Sequence, residues 1–208
     1  MEKVHLEGYR QFKSEYVGEN QALFEALGQG QSPHTMVITC SDSRVEPATI
    51  LGSSPGDLFI AENIGNMVPE YDALLGDSTQ AALEYGIVAL KVEHLIILAH
   101  SSCGACAHLY HEPQEGEPEL KHVDKWLEQL QPAKQASMLE MLADGTKNRA
   151  EVTEKNNLEL TLARLMTYPY IVEAVEKGEL KIHGWWYHVG TGAVKVYDQA
   201  NKTFSQAN

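Results

Sequence analysis

The chain has 208 residues, 43% hydrophobic and 22% charged, a globular composition that excludes a disordered or collagen-like protein. A net charge of −13 sets the surface against phosphate backbones, so no nucleic-acid partner is expected. No run approaches the roughly 18 apolar residues of a membrane span, and the N-terminal MEKVHLEGYRQFKSEY lacks an apolar signal core. The expectation is a cytoplasmic protein with no membrane partner.

Residues 3–28 read as one or two amphipathic helices, with Val4, Phe12, Tyr16, Leu23, Phe24 and Leu27 apolar and Gly28 as the stop. After a break at Gln31-Ser32-Pro33, the β-branched run 36–40 (MVITC) predicts a buried strand. Pro55-Gly56-Asp57 is a turn before a second strand at 58–61 (LFIA). Residues 77–91 predict a helix capped by Asp77 or Ser78, with Ala81, Leu83, Tyr85, Ile87, Val88 and Leu90 apolar. Residues 94–99 (HLIILA) are apolar throughout, as a strand covered on both faces should be. A helix follows Ser101, and the Pro-, Glu- and Gly-rich segment 112–118 is a surface loop. Helices are predicted over 119–130, 133–143, 150–167 and 170–177. Leu120, Val123, Trp126, Leu127 and Leu130 share a face of the first. Pro132 and Pro169 suit helix starts and Gly178 a stop. The end reads as two strands around Gly190-Thr191-Gly192, a hairpin. This alternation predicts an α/β fold: a central, mostly parallel sheet with flanking helices, an N-terminal helical arm over residues 1–30 and a C-terminal edge hairpin. Residues 1–208 are expected to form a single domain.

Three cysteines are too few for a disulfide scaffold. Two strand ends carry unusual residues, and in open parallel sheets ligands gather beyond the carboxyl ends of strands. One end reads Cys40-Ser41-Asp42-Ser43-Arg44; the other reads His100-Ser101-Ser102-Cys103-Gly104-Ala105-Cys106. If these strands are neighbours, Cys40, His100 and Cys103 converge. Two thiolates and an imidazole are donors that zinc prefers, and three protein ligands leave a fourth tetrahedral position open for catalysis. Taken singly, a cysteine at a strand end is a core residue and a histidine a satisfied or surface one; the joint placement carries the metal reading. Cys103-Gly104-Ala105-Cys106 also has the form of a redox dithiol, in which case Cys40 and His100 are incidental. Cys106 itself reads as a buried helix thiol, and His108 and His111 as a solvated helix face.

Asp42 and Arg44 alone would be a surface ion pair of little worth. Beside an open zinc they have a sharper role. The metal acidifies its water, and a carboxylate accepts the hydroxide's hydrogen bond and aims its lone pair at an electrophile. A guanidinium fork keeps that carboxylate ionised and oriented, which a lysine cannot match. Two thiolates cancel the zinc charge, so an alkaline pH optimum is expected.

Cys40-x-Asp42-x-Arg44, about sixty residues before His100-x-x-Cys103-Gly104, resembles the β-class carbonic anhydrases. Pro55-Gly56-Asp57-Leu58-Phe59, Asn63-Ile64-Gly65-Asn66, Glu84-Tyr85 and His183-Gly184-Trp185 match further landmarks, so the resemblance runs from Gln31 to Trp185. It implies one zinc per subunit on Cys40, His100 and Cys103, with Asp42 and Arg44 as the catalytic dyad. Zinc-bound hydroxide would attack carbon dioxide to give bicarbonate and a proton, the carbonate dehydratase reaction. It also implies a homodimer or a dimer of dimers, the N-terminal helices wrapping the partner.

The family has an open site, its aspartate paired with arginine, and a closing one whose bicarbonate pocket uses a tryptophan just before the first cysteine. Met36, Val37, Ile38 and Thr39 stand there instead, and Gln31, Phe59, Ile64 and Tyr85 match the substrate pocket of the open form, which is therefore expected. Read alone, these four would be a polar loop residue and three core residues. Gln31 stands nine residues before Cys40, an extended reach of about 30 Å. It is expected to serve the neighbouring subunit's site, which makes the dimer obligate. Glu62 stands where the family commonly has arginine, either a tolerated change or a competitor for Arg44; Ala105 replaces a glycine with little consequence. Hydrolysis of a sulfur analogue of carbon dioxide, and a non-catalytic zinc-binding protein, remain open alternatives at this point. The dyad argues against the second.

Overall fold

A computed structural model describes residues 2–74 and 76–207, which fall into two compact units, 1–32 and 33–208. In the first, α1 (Glu2–Gln11) runs through a π-helical segment (Phe12–Tyr16) and the single turn α2 (Val17–Glu19) to α3 (Gln21–Leu27). Of the one or two helices predicted over 3–28, the structure has a break at Asn20, whose side-chain amide donates to the Tyr16 carbonyl at 2.8 Å. Its internal contacts are aromatic: Phe12 stacks on Tyr16 at 5.7 Å, and both meet the Phe24 ring edge-on. None of the unit's described residues is buried.

The second unit is built on a six-stranded sheet of order β2-β1-β3-β4-β5-β6. The strands are β1 (Thr35–Cys40), β2 (Leu58–Asn63), β3 (His94–His100), β4 (Lys181–Tyr187), β5 (Val194–Asp198) and β6 (Thr203–Gln206). The first four are parallel, and β5 and β6 are antiparallel, so the sheet is mostly parallel as predicted. The hairpin around residues 190–192 joins β4 to β5, but β4 is an interior strand beside β3. The edge at this end is β6, which the sequence did not announce: TFSQ is short and exposed apart from half-buried Phe204.

β1 and β3 are apolar throughout because both their faces are covered. Met36, Ile38, Leu95 and Ile97 point one way and join Leu83, Leu158, Leu162, Leu165 and Ile171. Their neighbours Val37, Ile96 and Leu98 point the other way and meet Val45, Ile50 and Leu51. The helices of this unit are α4 (Pro47–Leu51), α5 (Ser78–Glu84), α6 (Gly104–His108), α7 (Lys121–Leu127), α8 (Gln131–Ala143), α9 (Arg149–Leu165) and α10 (Pro169–Glu176). α4 is a single short helix that the sequence reading missed, started by Pro47 and closed by Gly52 at φ +61°. Asp77 caps α5 as expected, accepting from the Thr79 and Gln80 amides at 2.7 and 3.0 Å. The predicted continuation to 91 turns π-helical over Tyr85–Ala89, burying Leu83 and Ile87 and leaving Tyr85 and Val88 half exposed. The helix predicted over 119–130 is α7 followed by a 3-10 turn; Leu127 and Leu130 are buried, but Leu120 precedes the helix and is exposed.

Two features place the site. The strand order reverses between β1 and β3, since β2 lies on one side of β1 and β3 on the other. Such a reversal opens a crevice at the carboxyl ends of the two strands. On the covered face, α9 packs hard against β4 at Gly184, where a Cβ would meet Leu162 Cδ1 at 2.8 Å.

Candidate active site

Cys40 is the last residue of β1 and His100 the last of β3, neighbouring parallel strands. Cys103 sits in extended conformation at the N-cap of α6. All three are buried, and their Sγ, ring-nitrogen and Sγ donor atoms lie within 4.8 Å of one another. No other three His, Cys, Asp or Glu side chains among the described residues come this close. His100 Nδ1 lies 2.9 Å from the Ser101 carbonyl. A carbonyl only accepts, so Nδ1 carries the hydrogen and Nε2 presents its lone pair. That Nε2 is buried without a hydrogen-bond partner, an arrangement costing about 1–3 kcal/mol unless a ligand fills it. A bare imidazole nitrogen facing two sulfurs fits zinc, a borderline-soft ion bound by such donors. Without a metal, the neighbouring Cys103 and burial push the Cys40 thiol up to about 12. The Cys106 thiol and burial push Cys103 up to about 12 as well.

The loop after β1 brings the dyad alongside. Arg44 Nε donates to Asp42 Oδ1 at 2.8 Å and Nη2 to Oδ2 at 2.7 Å, a two-pronged grip to which the Arg44 amide adds a bond at 3.0 Å. Nη2 also donates to the Ser102 carbonyl at 3.0 Å, with Ser102 in the left-handed region at φ +56°. Arg44 thereby ties the loop after β1 to the loop after β3. The guanidinium beside Asp42 holds its carboxyl well below the usual carboxylate range. Asp42 Oδ2 lies 4.0 Å from His100 Nε2, at the edge of the donor cluster. Arg44 is half exposed, so the pair contributes little stability and its value is positional.

The loop after β2 supplies a further contact. The Gly65 amide donates to Cys40 Sγ at 3.4 Å. Gly65 has φ +85°, and a Cβ there would stand 3.0 Å from Ala105 Cβ, so this position requires glycine. Asn63 clasps the loop by bonding both the amide and the carbonyl of Met67 at 2.8 Å.

The four pocket candidates are dispersed. Ile64, 43% exposed, adjoins Gly65 at the site's rim. Phe59 contacts Tyr85, ring centroids 5.8 Å apart, but pairs with Met36 in register, four residues before Cys40. At about 3.3 Å per residue Phe59 lies about 13 Å down the sheet from the Cys40 level, with Tyr85 packed on its ring. Gln31 belongs to the first unit. Glu62 is exposed and forms no ion pair with Arg44. Cys106 is buried on α6. His108 and His111 stack at 5.5 Å and pair with Asp124 and Glu117 at 2.7 and 2.8 Å.

Sequence reasoning missed Glu154 and Asn157 on α9. Glu154 accepts from the Cys103 amide at 3.1 Å, and Asn157 donates to the Gly65 carbonyl at 2.8 Å. Both lie on the helix stripe of Leu158, Leu162 and Leu165, which marks them as core-facing only once the fold shows that stripe covered.

A mostly parallel sheet carries at its carboxyl edge a buried Cys–His–Cys cluster that could hold a metal ion, beside a carboxylate–guanidinium pair, and similarity to known proteins narrows its class. The carbonic anhydrase family pattern matches residues 35–194. A carbonic anhydrase of Synechocystis is 36% identical over 193 residues, 93% of this chain and 70% of that protein. One from Helicobacter pylori is 36% identical over 197 residues, 92% of this chain and 88% of the other. The solved β-carbonic anhydrase CcaA superposes with a TM-score of 0.91 at 35% identity, covering 99% of this chain and 92% of that one. A tetrameric β-carbonic anhydrase from Sordaria macrospora superposes at 0.82 with 32% identity, covering 93% and 95%. The chain belongs to the β-class carbonic anhydrases, whose enzyme class is carbonate dehydratase.

Proposed function

We propose that the protein catalyses the reversible hydration of carbon dioxide to bicarbonate and a proton with one zinc ion per subunit, held by Cys40, His100 and Cys103. The bare, buried His100 Nε2 facing two thiols, with an Arg44-held carboxylate 4.0 Å away, carries this reading. Zinc bound there would supply a Lewis-acidic fourth position that acidifies water, less strongly than with three neutral histidines because two thiolates offset its charge. The chain's own residues do the rest. Asp42, kept ionised by Arg44, is acceptor-only. It accepts a hydrogen bond from the attacking oxygen's O–H and so turns a lone pair toward the carbon of carbon dioxide. Arg44 stops Asp42 from swinging, because its guanidinium is anchored to the Ser102 carbonyl. Ile64 offers an apolar wall for a nonpolar substrate.

Gln31, Phe59 and Tyr85 fit this scheme if they serve the site of a second copy, giving a homodimer or a dimer of dimers with shared pockets. Support comes from β2, an open sheet edge flanked by half-exposed Ile60, Ile64, Tyr85 and Val88. The arm is a second support, with Val4 70% and Tyr9 56% exposed and none of its described residues buried. Three free thiols are in keeping with a reducing compartment, the cytoplasm. The test compares metal content and carbon dioxide hydration in the wild type and Asp42→Asn. One zinc per chain in both, with hydration lowered about 100-fold in the variant, is the expected result. A zinc-loaded wild type without hydration activity would contradict it.

A further inference from the structure

α9 carries more polar groups toward the core than a packing helix needs. Thr153, Glu154, Asn157 and Thr161 are each no more than 1% exposed, interleaved with Leu158, Leu162 and Leu165. Polar side chains at such positions cost free energy unless they are hydrogen-bonded. Two of them reach the metal cluster. Glu154 Oε1 accepts from the Cys103 amide at 3.1 Å, and its Oε2 accepts from Trp186 Nε1 at 3.1 Å, fixing the carboxylate at both ends. Asn157 Nδ2 donates to the Gly65 carbonyl at 2.8 Å, and the Gly65 amide donates to Cys40 Sγ at 3.4 Å. Asn157 Oδ1 is buried with no partner. This asparagine is therefore held for its one donated bond, at the expense of an unmet acceptor.

Residues 154 and 157 are one turn apart and share a helix face. The two thiols belong to different elements, the end of β1 and the start of α6. We infer that this one turn of α9 is the positioning device for both thiolate ligands, Glu154 fixing the Cys103 backbone and Asn157 fixing the loop whose Gly65 amide contacts the Cys40 sulfur. The inference rests on the metal site of the proposed function. Asn157→Asp replaces the donor with a second acceptor against the Gly65 carbonyl and lets the Gly65 amide drift from Cys40. Glu154→Gln keeps the shape but turns an amide hydrogen against one of its two donors, freeing the start of α6. Neither residue touches the substrate position; both act through the ligands.

The test uses the full, zinc-loaded chain in three variants: Asn157→Asp, Glu154→Gln, and Thr161→Val as a control one turn further along the same buried face. Zinc transfer to a chromophoric chelator gives a release rate, and cobalt substitution gives a thiolate charge-transfer band that reports sulfur geometry. Asn157→Asp and Glu154→Gln are expected to release zinc about 10-fold to 100-fold faster than the wild type, the usual range for partners that orient ligands. Their cobalt bands shift as well, and Thr161→Val changes neither readout. If Asn157→Asp does not fold, Glu154→Gln decides on the same readouts. Folded variants with wild-type release rates and cobalt spectra overturn the positioning role while leaving the zinc site standing. A wild type that retains no zinc overturns the metal site itself.

Discussion

The Arg44 guanidinium grips Asp42 at both oxygens, and that grip decides how the site responds to acid. Asp42 is held below its ordinary range, so it stays ionised through neutral and mildly acidic solution. The stability the pair contributes is in place above about pH 4 and is lost as pH falls below it, since the unfolded chain then binds the proton first. Arg44→Lys cannot hold two oxygens at once. It is expected to lower hydration about 10-fold or more with one zinc still bound, read by stopped-flow rates beside metal analysis. Glu62 forms no ion pair with Arg44, so Glu62→Arg should leave the pH–rate profile unchanged; a displaced acid limb would show that Glu62 competes for the guanidinium. Gly65→Ala forces a side chain into left-handed backbone against Ala105 and should cost about 1–2 kcal/mol in thermal denaturation. The Cys–His–Cys cluster and the Asp42–Arg44 pair were legible as groupings because each member stands at or just beyond a strand end, where sequence fixes position within a residue or two. Glu154 and Asn157 were not. A glutamate and an asparagine in a helix read as solvent-facing until the fold shows which stripe is covered.

At the scale of elements, long apolar segments were read well and short or polar ones were not. β1 and β3 follow from continuous β-branched and aliphatic runs, and α9 from a 17-residue helix capped by Asn148. α4 spans five residues and β6 four, too short for any period to register. The π-helical stretch Tyr85–Ala89 escaped because its side-chain pattern still matches a helix; only the packing of Gly86 against Met36 and Phe59 marks the departure. The Asp77 cap was legible, and its weight can be measured. Asp77→Ala leaves the Thr79 and Gln80 amides without their acceptor and should cost about 1 kcal/mol in urea denaturation. A smaller change would mean that water replaces the cap.

For the whole molecule, metal, protons and assembly are linked. Both cluster thiols are pushed up to about 12 without metal, so they are protonated near neutrality. Loading zinc must then expel two protons, and apparent affinity should rise about 100-fold per pH unit, measured by chelator competition at about pH 6.5 and 7.5. A pH-independent affinity would mean the thiols are already ionised. The shared pocket proposed above would make assembly part of the chemistry, and a stable, fully active monomer would contradict it. The central claim is that this Cys–His–Cys cluster and its dyad hydrate carbon dioxide. Stopped-flow hydration of carbon dioxide against pH, on zinc-loaded protein, tests it most directly. The account predicts activity that persists near pH 7 and rises smoothly toward alkaline pH, because Arg44 keeps Asp42 ionised and in place. A folded, zinc-loaded protein inactive at every pH would contradict it.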